Sequence, residues 1–272
     1  MINNKSKLAQ AFWETGRLED CYILDFHAHM HPEKGIYFPS HSPEKMIETM
    51  KRCNTKLTVF CSHYALEYAE YEEEYNLNEA KRYPDYFLAY YSVIPGQTDF
   101  DKMVERFENN RQYYFGFGEL HGDRHNTSYT DDAYAPFFEY MNANKLPALL
   151  HTWGHSGYTG ADIVKKIAER YPDIILICGH AFHDDWRYGA EVMRDYPNMF
   201  AELTAVTDNC GAIELLCDTV GSDRILFGTD LPWFDTHHGI GAVLSADISD
   251  DDMRNIFYRN GEKLLKDQGI NL

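Results

Sequence analysis

No stretch of this chain approaches the ~20 consecutive apolar residues that a membrane-spanning helix needs, and Lys5 and Lys7 near the start are followed by no apolar leader segment. The expectation is a cytoplasmic protein with no membrane partner. Nor is there a Cys-x-x-Cys pair: the six cysteines, at 21, 53, 61, 178, 210 and 217, are scattered among mostly apolar neighbours. They read as free, buried thiols in a reducing compartment. Cations are scarce too, since Lys plus Arg number 25 against 43 Asp plus Glu, a formal charge of −18. Such a chain has little general affinity for nucleic acid. A Gly-x-Ser-x-Gly elbow is absent, which disfavours a serine hydrolase, and no linker-like tract divides the chain.

What is present is an ordinary globular composition, 44% hydrophobic and 25% charged, rich in Tyr and Phe. Eight apolar segments alternate with helical patterns, and their ends fall at His27, Ser62, Ile94, Glu119, His151, His180, Thr204 and Asp230. The intervals of 35, 32, 25, 32, 29, 24 and 26 residues each suit one strand, one helix and their loops. Tyr-Pro-Asp or Tyr-Pro-Asn at 83, 171 and 196 recurs where a helix must stop, because proline lacks a donor and restricts the residue before it. Eight such units predict an α/β fold, a (β/α)8 TIM barrel, as one domain over 1–272 with residues 1–20 as a lead-in covering an open end. Tyr64, Tyr68, Tyr71 and Tyr75 form a stripe expected to pack, with Glu70 to Glu74 solvated. His121 to Asp132 reads as a polar loop and candidate lid.

Barrel active sites lie at the C-terminal ends of the strands, where the sequence places His27, His29, Glu119, His151, His180 and Asp230. The pair His27 and His29, one residue apart, points to one face of a strand. Singly, each of the six is an unremarkable core or loop residue; at five strand ends together they argue for a metal site. Imidazoles and carboxylates without thiolate suit a divalent ion, zinc first, with Mn, Fe or Ni as alternatives. Glu119 is placed to bridge two ions, one held by His27, His29 and Asp230 and the other by His151 and His180; a single ion is the competing arrangement.

The phrases Leu24-Asp25-Phe26-His27-Ala28-His29, Gly116-Phe117-Gly118-Glu119-Leu120, Leu146-Pro147-Ala148-Leu149-Leu150-His151-Thr152, Gly179-His180, Phe227-Gly228-Thr229-Asp230-Leu231-Pro232 and Asn260-Gly261-Glu262-Lys263-Leu264-Leu265 resemble the amidohydrolase superfamily. The likeness is nearest to its amidohydrolase-related branch of barrel hydrolases and decarboxylases, over residues 20–266, and implies a TIM barrel of the metallo-dependent hydrolase type. It implies a divalent metal held by the His-x-His pair, the fifth- and sixth-strand histidines and the eighth-strand aspartate. Members carry a carboxylated Lys, a Glu or nothing at the fourth strand, and Glu119 resembles the Glu version. If Glu119 points elsewhere, the site holds one ion and His180 is free to act as a catalytic base or a substrate contact.

A bound divalent ion lowers the pKa of its water towards ~7. Asp230 would then take the proton and pass it to the leaving group. The leading expectation is hydrolysis of a small amide, ester or lactone. The alternative is a metal-dependent decarboxylase, a lyase acting on a small carboxylic acid; a phosphodiesterase or nuclease, and a non-catalytic metal-binding barrel, follow behind. His63, His121, Trp153 and His155 are expected to contact a small-molecule substrate, with Arg124 and Arg187 as clamps for a carboxylate. Assembly into a homo-oligomer is left open.

Overall fold

In the computed structural model, residues 6–33, 35–206 and 209–272 are described. Eight parallel strands run in sequential order round one sheet: β1 (Ile23–Met30), β2 (Thr55–Ser62), β3 (Phe87–Tyr91), β4 (Tyr114–Leu120), β5 (Pro147–Trp153), β6 (Ile175–His183), β7 (Met199–Glu202) and β8 (Ile225–Leu226). The first and last meet. Phe26 N donates to the Phe227 carbonyl (2.9 Å), Asp230 N to that of His27 (2.7 Å) and His29 N to that of Leu231 (2.7 Å), and these bonds close the barrel.

Helices α1 (Lys7–Thr15), α2 (Pro43–Cys53), α3 (Ala69–Arg82), α4 (Phe100–Asn109), α5 (Gly122–His125), α6 (Ala135–Ala143), α7 (Ala161–Arg170), α8 (Trp186–Asp195), α9 (Ala212–Val220), α10 (Thr236–Ser245), α11 (Asp250–Arg254) and α12 (Asn260–Asp267) surround it. Their ends follow local chemistry. Ser42 caps α2 ahead of Pro43, and Asn54 in the left-handed region closes it. Tyr83, Tyr171 and Tyr196 cap the C-termini of α3, α7 and α8, as the Tyr-Pro phrases predict. Helix α1 packs on α10, and Arg17, just past its end, donates to the Lys51 carbonyl in the last turn of α2.

Two apolar layers follow from strand alternation. Leu24, Phe26, Leu57, Val59, Leu88, Tyr90, Phe115, Leu149 and Ile177 fill the barrel, where Phe26 and Phe115 meet at 5.1 Å across strands that are not neighbours. The larger layer lies between strands and helices.

Three expectations change. The tyrosine stripe packs only at Tyr75, which lies against the core with its ring 3.9 Å from that of His31; Tyr64, Tyr68 and Tyr71 are exposed, while Glu73 is fully buried. The reason is that α3 begins only at Ala69 after a 3-10 turn at His63–Leu66, which breaks the helical phase and turns Ala69, Glu73, Asn76 and Leu77 inwards. Nor is 121–132 a free lid, because it contains α5 and is pinned by buried Tyr129, whose hydroxyl lies 2.5 Å from the Leu120 carbonyl and 2.8 Å from that of His151. Among the thiols, Cys210 is exposed and Cys217 half-buried; the other four are buried.

Candidate active site

Leu24 and Phe26 point into the barrel, so strict alternation would send His27 and His29 outwards. Instead the pairing of β1 with β2 shifts between Asp25 and Ala28, and both imidazoles end up buried at the mouth of the barrel. Asp25 ties the irregularity to the end of β8, accepting from His27 N (3.1 Å), Thr229 N (3.1 Å) and Thr229 Oγ1 (2.7 Å). Burial pushes the Asp25 carboxyl up to about 7. A second phase change serves His180, which is out of step with Ile175 and Ile177. Residues His180, Ala181 and Phe182 take φ of 63°, 46° and 59°, a left-handed run that ordinary residues resist. Thr152 pins it, donating to the Gly179 carbonyl (2.5 Å) and accepting from Phe182 N (3.0 Å).

Glu119 stands at the centre. Its Oε1 lies 2.9 Å from His151 Nδ1, 3.6 Å from His180 Nε2 and 3.7 Å from His27 Nε2, and its Oε2 lies 3.6 Å from His29 Nε2. Asp230 completes the ring with Oδ1 at 3.0 Å from His29 Nε2 and 3.8 Å from His27 Nε2. His27 Nε2 and His180 Nδ1 are buried without a hydrogen-bond partner, and buried Asp230 Oδ1 has only its close approach to His29 Nε2. Burial would favour a neutral Glu119, yet the charge on His27 and bonds to His151 and His180 hold its carboxyl well below the usual range. Burial likewise opposes charge on His27, but Glu202 and Glu119 raise its pKa well above the ordinary value. The carboxylates thus stabilise positive charge at the centre of the ring, and a divalent ion bound there would take the place of the proton on His27.

Three triplets have ligand atoms within 4.8 Å of one another: His27, His29 and Asp230; His27, Glu119 and His180; and Glu119, His121 and His151. The last is the weakest ligand set. His121 and His151 stack at 3.7 Å with 13° between their planes, so their in-plane lone pairs run side by side instead of converging.

The model of the family described as amidohydrolase matches residues 24–266. The chain belongs to the amidohydrolase family. Its fold is similar to that of an uncharacterised TIM-barrel protein from Bordetella bronchiseptica (TM-score 0.74, 18% identity, 91% of this chain and 99% of that one). It is also similar to 2,6-dihydroxybenzoate decarboxylase from Rhizobium (0.69, 17%, 90% and 99%). A third likeness is to a dihydroxybenzoic acid decarboxylase from Polaromonas sp. JS666 with bound manganese and the inhibitor 2-nitroresorcinol (0.69, 15%, 90% and 97%). No curated protein matches the sequence.

In this amidohydrolase barrel a cavity of about 250 Å³ opens above the ligand ring and reaches His29, Glu119, His151, His180 and Asp230. His63, His121, Trp153 and Arg124 line it, as the sequence reading places them. His63 is locked: Nδ1 donates to the His31 carbonyl (2.7 Å) while Nε2 accepts from Trp233 Nε1 (2.8 Å), and burial lowers its pKa to about 3. Arg124 is tethered by Glu67 (3.1 Å) and Glu33 (3.2 Å). Two expected contacts are not brought there. His155 turns out to solvent at a left-handed backbone (φ 62°), and Arg187 lies on the exposed side of α8.

Sequence reasoning missed Trp233 and Phe234 of the cavity wall, and two partners behind the ligands. Glu202 Oε2 meets His27 Nδ1 at 2.8 Å, and Cys61 Sγ meets His29 Nδ1 at 3.4 Å. A carboxylate inside the apolar segment Met199–Leu203 was the available signal. Cys61 carried none. Among the described residues no helix is long and apolar enough to cross a membrane.

Proposed function

We propose that this amidohydrolase-family protein is a metal-dependent decarboxylase of a small, flat carboxylic acid. The observation that carries this reading is the cavity wall: the rings of Trp153, Trp233, Phe234 and neutral His63 surround it, with Arg124 as its cation. Such a slot suits an aromatic ring bearing one carboxylate. The Rhizobium and Polaromonas neighbours, decarboxylases of dihydroxybenzoic acids, supply the first compounds to test.

The donor set fits a divalent ion, since the buried His27 Nε2 has no hydrogen-bond partner and lies close to the Glu119 and Asp230 carboxylates. His27, His29 and Asp230 would hold it with Glu119, His151 or His180, and when bound it would stabilise the charge left on the substrate as the bond to the departing carboxylate breaks. The chain's own groups do the rest. Trp153 and Trp233 hold the ring and exclude water. Arg124 anchors the acid at the rim. Asp230 and His180 face the cavity floor, and either carries the proton that takes the place of CO2 on the substrate carbon. His63, with both nitrogens committed, keeps Trp233 in place.

A second reading, hydrolysis of an amide, ester or lactone, is favoured by one feature. Glu119 lies among four imidazoles, as a carboxylate between two ions would, and two ions suit water activation. Manganese- and zinc-loaded protein should be assayed for CO2 release from hydroxybenzoic acids and for cleavage of lactones and N-acyl compounds, alongside elemental analysis. Release of CO2 matched by loss of the acid is the expected result. Lactone or amide cleavage with two ions per chain and no CO2 would overturn the decarboxylase in favour of the hydrolase.

A further inference from the structure

We propose that Glu202 is a positioning residue of the metal site, holding His27 by Nδ1 so that Nε2 is presented to the ion. The inference rests on the metal-site reading above and goes beyond it by assigning a role to a residue outside the ligand ring. Glu202 ends β7 and is fully buried. Its Oε2 takes the His27 Nδ1–H at 2.8 Å and lies 3.4 Å from His180 N. Its Oε1 accepts from Thr204 N (2.7 Å) and Thr204 Oγ1 (2.6 Å). With both oxygens engaged, the carboxylate cannot swing away.

Two consequences follow for the imidazole. With Nδ1–H held by Glu202, Nε2 is the nitrogen that gives up its proton and offers its lone pair to an ion; this buried atom has no hydrogen-bond partner and lies 3.7 Å from Glu119 and 3.8 Å from Asp230. A carboxylate behind a ligand histidine also makes the ring a stronger donor to a cation. The packing reserves room for this pair. At Gly228 a Cβ would overlap Glu202 Oε1 and stand 2.9 Å from His27 Cβ, so the residue there must be glycine for the two side chains to meet. The other histidine of the pair is held differently: His29 Nδ1 faces the Cys61 sulfur at 3.4 Å, a weaker partner. His27 is therefore the ligand whose direction is set by charge, and β7 acts on the site through it.

The test is metal affinity, measured without turnover. Metal-free full-length protein is titrated with Mn2+ and with Zn2+ against a chromogenic chelator, with circular dichroism and thermal melting on each variant. Glu202→Gln is expected to weaken binding by about 10- to 100-fold. Thr204→Val, which removes only the hydroxyl that steadies Glu202, is expected to weaken it by roughly 3- to 10-fold with the fold unchanged. In 15N-histidine NMR of the Zn2+-loaded protein, His27 should keep a protonated Nδ1 and an unprotonated Nε2 in the parent and lose that pattern in Glu202→Gln. A folded Glu202→Gln that binds both ions as the parent does overturns the positioning role and leaves the metal site standing. Should Glu202→Gln fail to fold, parental affinity in Thr204→Val overturns it instead. A parent that binds neither ion overturns the metal-site reading and this inference with it.

Discussion

Replacing Glu73 by Gln should make the protein more stable at alkaline pH, although Glu73 is bonded in the native state. Glu73 is fully buried in α3, where Oε2 accepts from Ser92 N (3.0 Å) just past the end of β3, while Oε1 has no partner of good geometry. Its neighbour Asn76 does the same for Ser62 N (2.9 Å) at the end of β2, next to His63 of the cavity. Burial raises the Glu73 carboxyl from 4.5 to about 8. The folded chain therefore holds this proton more tightly than the unfolded chain, and the contribution to stability is greatest below pH 4.5 and is lost as pH rises to about 8. Each unit of pKa difference corresponds to ~1.4 kcal/mol, which bounds the loss at roughly 5 kcal/mol. Gln keeps an oxygen for Ser92 N and cannot ionise. Urea unfolding of the parent and Glu73→Gln from pH 5 to pH 8.5 should give curves that diverge, the parent falling relative to the variant by up to about 1.4 kcal/mol per unit. Differencing cancels every group the two proteins share, Asp25 included. Parallel curves would refute the reasoning.

Asp230→Asn keeps an oxygen for the ion but removes the carboxylate, so metal content should stay near parental while turnover drops ~10²-fold or more; full activity would sink Asp230 as the proton carrier. Arg124→Met should raise KM about tenfold at little change in kcat, read from initial rates on the acid substrate, and a fall in kcat alone would remove Arg124 as the anchor. Gly228→Ala forces a Cβ into Glu202 Oε1 and should destabilise the protein by about 1–3 kcal/mol in thermal melts, with weaker metal binding; an unchanged melt would show that the slot is not full.

The barrel was legible in one dimension because each unit repeats a local rule. An apolar strand, a helix and a Tyr-Pro stop recur at intervals that admit only one strand and one helix each, and Tyr83, Tyr171 and Tyr196 do cap their helices. The ends of those strands named the residues that meet, His27, His29, Glu119, His151, His180 and Asp230. Where a residue's neighbours are distant in sequence, the reading failed. His155 and Arg187 follow β5 and β6 closely yet point away, and Trp233 and Phe234 enter the wall from beyond β8.

Sequence alone determined the residue types at each strand end, and therefore that imidazoles and carboxylates would share one mouth, since alternation and proline chemistry act within a few residues. Direction was decided by tertiary structure. Strict alternation would turn His27 and His180 outwards; a bulge tied by Asp25 to Thr229 and a left-handed run pinned by Thr152 turn them in. Both devices rest on hydrogen bonds between strands, across 204 residues from Asp25 to Thr229, and so does the bond from Glu202 to His27 across 175. Contacts of that span leave no periodic trace along the chain, because they exist only once the barrel has closed.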